Sequence, residues 1–164
     1  MEGTDPSRRL LIVWHSRTGA SEAMARAAAD GAGDALLLRC DEVGPDTVVG
    51  AGGYLFCCPE NLATMSGAMK EMFDRCYYPV LGRIEGRPFA TIIAAGSDGE
   101  GAQRQIDRIA QGWRLKRVAE SLIVNFSAQT PEAILAAKRV PGATLDECTQ
   151  LGEGLATGLR EGIF

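Results

Sequence analysis

Leu10-Leu11-Ile12-Val13-Trp14-His15-Ser16-Arg17-Thr18-Gly19-Ala20-Ser21 is the stretch on which the fold turns. Its first five residues form a short unbroken apolar run. Such a run reads as a strand buried on both faces, not as one with a wet side. A loop holding three hydroxyls follows, and then a helix expected over about residues 19–32. Ala20, Ala23, Met24, Ala27 and Ala28 recur there at helical spacing, and so many alanines let a helix lie close to a sheet.

The same alternation continues down the chain. Ala35 to Cys40 reads as a second strand and Asp46 to Gly50 as one helical turn. Tyr54 to Cys58 is a third strand, ended by Pro59. A helix over 65–77 carries Met65, Ala68, Met69, Met72, Phe73 and Cys76 on one stripe. Phe89 to Ala95 is a fourth strand, ended by Gly96, and a helix over 100–113 uses Ala102, Ile106, Ile109, Ala110 and Trp113. Val118 to Val124 is a fifth strand. Pro131 to Lys138 suits a short helix with Pro at its first position. The last helix, 144–161, buries Leu145, Cys148, Leu151, Leu155 and Leu159. Buried strands alternating with helices give an α/β fold of three layers, with helices on both faces of a parallel sheet. Five strands suit the order 2-1-3-4-5, and no linker or repeat divides residues 1–164, so one domain is expected. A domain of this length buries roughly 68–70% of its unfolded surface. In such a sheet a ligand sits beyond the carboxyl ends of the strands, at the switch between strands 1 and 3. Loops 15–21, 59–66 and 96–101 border that place.

Composition narrows the function. Hydrophobic residues are 46% and charged residues 23% of the chain, an ordinary globular balance. A net charge of -4 argues against a nucleic-acid partner, which would call for a basic field. The apolar runs are too short to cross a bilayer. The opening MEGTDPSRR carries two arginines but no apolar segment of signal-peptide form, so a cytoplasmic location is expected. Cys40, Cys57, Cys58, Cys76 and Cys148 are scattered, with no CxxC, and read as reduced, packed thiols. His15 is the only histidine, which leaves zinc without a ligand set, and a structural or edge role suits it better than catalysis. Neither a GxxxxGK[ST] loop nor a GxGxxG turn is present. Tyr77, Tyr78 and Trp113 suit core or subunit contact.

The loop Ser16-Arg17-Thr18-Gly19-Ala20-Ser21 points to phosphate. One hydroxyl would serve as a simple helix cap. Three, with free backbone N–H groups at a helix start and a cation beside them, suit an anion. This loop resembles the FMN phosphate loop of flavodoxins, Ser/Thr-x-Thr-Gly-x-Ser/Thr. Pro59-Glu60-Asn61-Leu62-Ala63-Thr64-Met65-Ser66-Gly67, continuing through Ala68-Met69-Lys70 and Phe73-Asp74-Arg75, resembles the second flavin loop of flavodoxin-like NAD(P)H-dependent FMN and quinone reductases. Gly96-Ser97-Asp98-Gly99-Glu100-Gly101 is similar to their third loop. The resemblance spans about residues 8 to 124.

It implies a flavodoxin-like sandwich that binds FMN. By resemblance, Ser16, Arg17, Thr18, Gly19, Ala20 and Ser21 hold the phosphate. Pro59, Glu60, Asn61 and Leu62 line the ring, partly through backbone N–H groups, and Ser97, Asp98 and Gly99 border its other side. A plainer reading of 59–66 is a strand-to-helix turn with Thr64 as the helix cap. Loops 59–64 and 96–101 hold no aromatic, and Leu62 is the nearest apolar candidate. An open ring face suits hydride transfer from NADPH or NADH, with electrons passed to a quinone or another small acceptor and the chemistry carried by the flavin. The second reading is an FMN-binding electron carrier or redox-sensing module without its own turnover; the third is the same fold without flavin. The resemblance also implies a homodimer or homotetramer.

Overall fold

The computed structural model describes residues 5–164. The expectation drawn from the first four residues lies outside the described part. In chain order the elements are β1 (Leu10–Trp14), α1 (Ala20–Ala32), β2 (Ala35–Arg39), α2 (Pro45–Gly50), β3 (Gly53–Asn61), β4 (Thr64–Met65), α3 (Gly67–Val80), β5 (Pro88–Ala95), α4 (Glu100–Gly112), β6 (Lys116–Arg117), β7 (Leu122–Asn125), α5 (Pro131–Leu135) and α6 (Gly142–Glu161).

The sheet runs β2-β1-β3-β5-β6, with β7 also on β5 and β4 on β3. Every pair is parallel except β3 with β4. Successive strand residues point to opposite faces, and the two cores divide accordingly. Leu11, Val13, Tyr54, Phe56 and Ile93 pack with Met69, Met72, Phe73, Ile106 and Trp113 of the α3–α4 layer. Leu10, Ile12, Leu55, Cys57 and Ile92 pack with Met24, Ala28, Cys148 and Leu155 of the α1–α6 layer. Each such Leu, Ile or Phe contributes about 1.5–3 kcal/mol on burial. The methionine stripe of α3 is core, as its spacing implied. Trp113 is buried, while Tyr77 and Tyr78 are exposed.

Small residues set the distance between α1 and α6. A Cβ on Gly152 would lie 1.9 Å from the Ala28 carbonyl oxygen, so no side chain fits there. All five cysteines are buried and unpaired by disulfides. Burial pushes the Cys58 thiol up to about 12 and that of Cys148 to about 11. Both therefore stay protonated, as packed thiols do.

Three expectations need correction. The fifth strand is not one run over 118–124 but two pieces, β6 and β7, both paired to β5. Only Ala90 and Thr91 of β5 face the four residues 118–121, so the chain detours there. The detour lets Arg117 reach the Thr91 hydroxyl (3.0 Å) and Asp107 (2.6 Å), and brings Ser121 onto Gln103. The buried Thr91 hydroxyl is thereby satisfied. Second, β3 does not stop at Pro59 but continues to Asn61. Past its last pair with β1, Trp14 with Cys57, that side needs no strand N–H, so proline is tolerated. Third, Thr64 does not cap α3. It lies in β4, and Ser66 holds the cap position.

Candidate functional site

The carboxyl ends of β1, β3, β5 and β7 open onto one cleft of about 560 Å³, within the size range of small-ligand sites. Its first wall is the β1–α1 loop. Ser16 Oγ accepts the Gly19 N–H at 3.0 Å and closes the loop. Gly19 sits at φ 99°, left-handed backbone that a side chain would strain, and α1 begins after it without any side-chain cap. The Ser21 hydroxyl is buried in the first turn and has no hydrogen-bond partner within the described protein. A buried hydroxyl left unmatched costs about 1–3 kcal/mol. Ser21 borders the cleft at the positive end of a helix dipole, where an anion would suit the hydroxyl. Arg17 stands exposed on the rim.

His15 lies just behind this wall, with Nδ1 2.8 Å from Ser66 Oγ. Burial, then the Arg17 and Arg39 guanidiniums, push its pKa below the usual imidazole range, against a smaller opposing pull from Asp41. It is neutral at pH 7 and lies outside the cleft lining, in keeping with a structural role.

The second wall is a hairpin that the sequence did not reveal. Asn61 pairs with Thr64 across a two-residue turn. Both turn residues, Leu62 at φ 52° and Ala63 at φ 65°, adopt left-handed backbone without being glycine. Tight hairpins require that conformation, and non-glycine residues hold it at a cost. Leu62 is 99% exposed at the tip. Contacts from α4 hold the hairpin in place. The Glu60 carboxylate accepts the Gly99 N–H (2.8 Å) and the Ala102 N–H (3.1 Å), capping α4, while Gln105 Oε1 accepts the Met65 N–H at 2.8 Å. Gly101 passes so close that a Cβ would lie 2.0 Å from the Ala63 carbonyl oxygen.

The third wall combines the β5–α4 loop with the chain after β7. Ser97 lines the cleft. Asp98 and Gly99 do not: Gly99 gives its N–H to Glu60, and Asp98 Oδ1 accepts the Glu100 N–H at 3.3 Å. Of the other residues singled out in the sequence, Ser16, Arg17, Thr18, Ala20, Ser21, Pro59, Glu60, Asn61 and Leu62 line the cleft, and Gly19 shapes it as the turn before α1. Sequence reasoning missed Phe126, Ile134, Leu135 and Lys138, which also line it. The signal was available for Phe126, which directly follows the carboxyl end of the last strand. The two middle loops lack an aromatic, and the cleft takes one from this fourth loop instead.

This architecture is that of the flavodoxins. A flavodoxin from the domain Archaea superposes with a TM-score of 0.76 at 18% identity, covering 92% of this chain and 98% of that one. A flavodoxin, WrbA-like protein from Agrobacterium tumefaciens gives 0.75 at 17% identity, covering 93% and 98%. Such identities speak for the fold alone. A flavodoxin from Aquifex aeolicus (strain VF5) is 29% identical over 98 residues, 57% of this chain and 53% of that protein, so the match spans about half the relative's length. The profile of the NADPH-dependent FMN reductase family matches residues 46–128, just over half of the chain. The chain belongs to that family. No helix among the described residues is long and apolar enough to cross a membrane.

Proposed function

We propose that this protein binds FMN in the cleft and uses NADPH or NADH to reduce a small acceptor such as a quinone. The observation that carries the reading is the buried, unpartnered Ser21 hydroxyl at the uncapped start of α1. A phosphate monoester there would accept from that hydroxyl, from first-turn N–H groups and from the Ser16 and Thr18 hydroxyls, with Arg17 balancing its charge. Asn61 and Leu62 of the hairpin, Pro59 beside it and Ser97 opposite would bound the flavin ring. Glu60 acts one step back: by capping α4 it fixes the hairpin against the third loop. Asp98 and Gly99 act in the same supporting way. When bound, FMN supplies the two-electron chemistry that no side chain of the cleft can perform. The chain's own part is to hold the cofactor, exclude water with Phe126 and the hairpin, and leave room at the mouth for a second ligand.

The test is an anaerobic visible spectrum of the purified protein, taken before and after FMN and again after NADPH or NADH. Retained flavin that bleaches with one nicotinamide supports the reductase and identifies the donor. Retained flavin that both nicotinamides leave oxidised favours an electron carrier or redox sensor. Absence of flavin uptake at high FMN would sink the cofactor assignment. A cytoplasmic, self-associating protein completes the proposal. Tyr77, Tyr78 and Leu81 expose an apolar patch at the end of α3 that a second copy would cover. A 17.4 kDa species on gel filtration at micromolar concentration would rule self-association out.

A further inference from the structure

Among the described residues, the charged side chains that line the cleft are Arg17, Glu60 and Lys138. The Glu60 carboxylate is already met: it accepts the Gly99 and Ala102 N–H groups at the positive end of α4. The two cations are met by no carboxylate. Neither Arg17 nor Lys138 joins an ion pair among the described residues. The whole chain carries a net charge of -4, so two unpaired cations on one cleft are a local reversal of sign. A cleft lined by one sign of charge concentrates ligands of the other.

Lys138 reaches the first wall from far along the chain. After β7 the backbone folds back as a strap, fastened where the Ala128 N–H donates to the Gly96 carbonyl and the Lys138 N–H to the Thr18 carbonyl, both at 2.8 Å. The Lys138 carbonyl oxygen stands 4.0 Å from where a Gly19 Cβ would lie. Residue 138 therefore lies against the middle of the hydroxyl loop. Its half-buried side chain turns back over α5 and donates to the carbonyls of Ala133 (2.8 Å), Ile134 (3.0 Å) and Ala136 (2.7 Å). These acceptors are neutral, so they hold the ammonium in place and leave its charge intact. They also use all three of its donors. Lys138 thus acts on a ligand through its field and not through a direct hydrogen bond. A fixed charge is felt over roughly 10 Å at 0.1 M salt, and the backbone of the same residue already touches the loop.

We propose that Lys138 is the second cation of the anion site at the start of α1, and that it makes the cleft prefer a phosphorylated flavin to an unphosphorylated one. The inference deepens the flavin reading and rests on it. A phosphate monoester carries about -1.5 to -2 charges near pH 7, which Arg17 and Lys138 together balance. The Ser21 hydroxyl and the first-turn N–H groups make the direct contacts. Riboflavin has the same ring without the charge, so its binding does not feel Lys138.

Fluorescence titrations with FMN and with riboflavin, at about 20 and 300 mM salt, test this. Lys138→Gln keeps an N–H donor for the α5 carbonyls and removes the charge. It raises the FMN dissociation constant about tenfold at low salt and leaves that of riboflavin within about twofold. Lys138→Arg, which keeps the charge, binds FMN within about twofold of the wild type. At high salt the gap between wild type and Lys138→Gln narrows to about threefold or less. Equal losses for both flavins would make Lys138 a wall and not a charge, and would overturn the inference. So would unchanged FMN affinity in Lys138→Gln, or a wild-type preference for FMN that salt leaves unaltered. If the wild type takes up neither flavin, the flavin reading fails by itself. Lys138 is then judged by calorimetry with inorganic phosphate, whose binding Lys138→Gln weakens about tenfold if this residue serves the anion site. Unchanged phosphate binding would remove it from that site.

Discussion

Ser21 is the residue on which the cofactor assignment turns, because its hydroxyl is buried and satisfied by nothing in the described protein. Ser21→Ala therefore removes no native hydrogen bond, and the folded protein keeps or slightly gains stability. It does remove a donor to a charged phosphate, a bond worth about 1.5–3 kcal/mol, so the FMN dissociation constant rises at least about tenfold. Paired thermal melts and fluorescence titrations separate the two effects. A fall in Tm with unchanged FMN affinity would show that the hydroxyl serves the fold. His15 supplies a second prediction at this scale. Its folded pKa is lowered, chiefly by burial, so below its ordinary value of 6.5 the unfolded chain takes up the proton more readily than the folded one. The unfolded state then binds more protons, and stability falls as pH drops through that range. In His15→Gln this contribution disappears, and denaturant unfolding between pH 6.5 and 5 shows a shallower decline. An identical slope in both proteins would place the sensitivity elsewhere.

The hairpin formed by the end of β3 and β4 stores strain in an exposed turn. Leu62 and Ala63 are both left-handed, and Leu62 makes almost no packing contact to offset it. Leu62→Gly relieves about 1–2 kcal/mol of strain and restores about 0.5–1 kcal/mol of chain entropy cost, for a net gain of about 0.5–1 kcal/mol. The urea midpoint rises while the slope stays constant. A lower midpoint would mean that Leu62 packs against something in solution. Strain of this kind persists where surrounding contacts over-determine the backbone, and it gathers at functional sites. Here the contacts are Glu60 on the α4 N-terminus and Gln105 on Met65. None of this was legible in Pro59-Glu60-Asn61-Leu62-Ala63-Thr64. Two-residue hairpin turns usually announce themselves by Asn-Gly or Asp-Gly. Leu-Ala carries no such signal, because tertiary contacts and not turn chemistry impose the conformation.

Across the whole molecule, the site depends on two layers gripping one sheet, and α1 is held from behind by α6. Gly152 permits that approach. Gly152→Ala forces the helices apart and costs about 1–3 kcal/mol, seen as a lower guanidinium midpoint. Because α1 also borders the proposed phosphate site, excess FMN offsets most or all of that loss by mass action: about 2.7 kcal/mol at a hundredfold excess over Kd. A variant as stable as the wild type would show that the helices can separate freely.

Sequence alone determined the layer order, since apolar runs of strand length alternating with helical stripes permit few other arrangements. It also determined the first wall of the cleft, because Ser16 to Ser21 is one continuous strand–loop–helix segment whose geometry is local. Tertiary structure decided the rest. The fifth strand broke in two where Thr91 and Gln103 meet Arg117 and Ser121, residues distant in the chain. Glu60 became a helix cap because α4 lies beside it. Phe126, Ile134, Leu135 and Lys138 joined the cleft because the chain after β7 folds back onto Gly96 and Thr18. Such contacts leave no periodicity and no short motif, since each depends on where the sheet delivers two separate pieces of backbone.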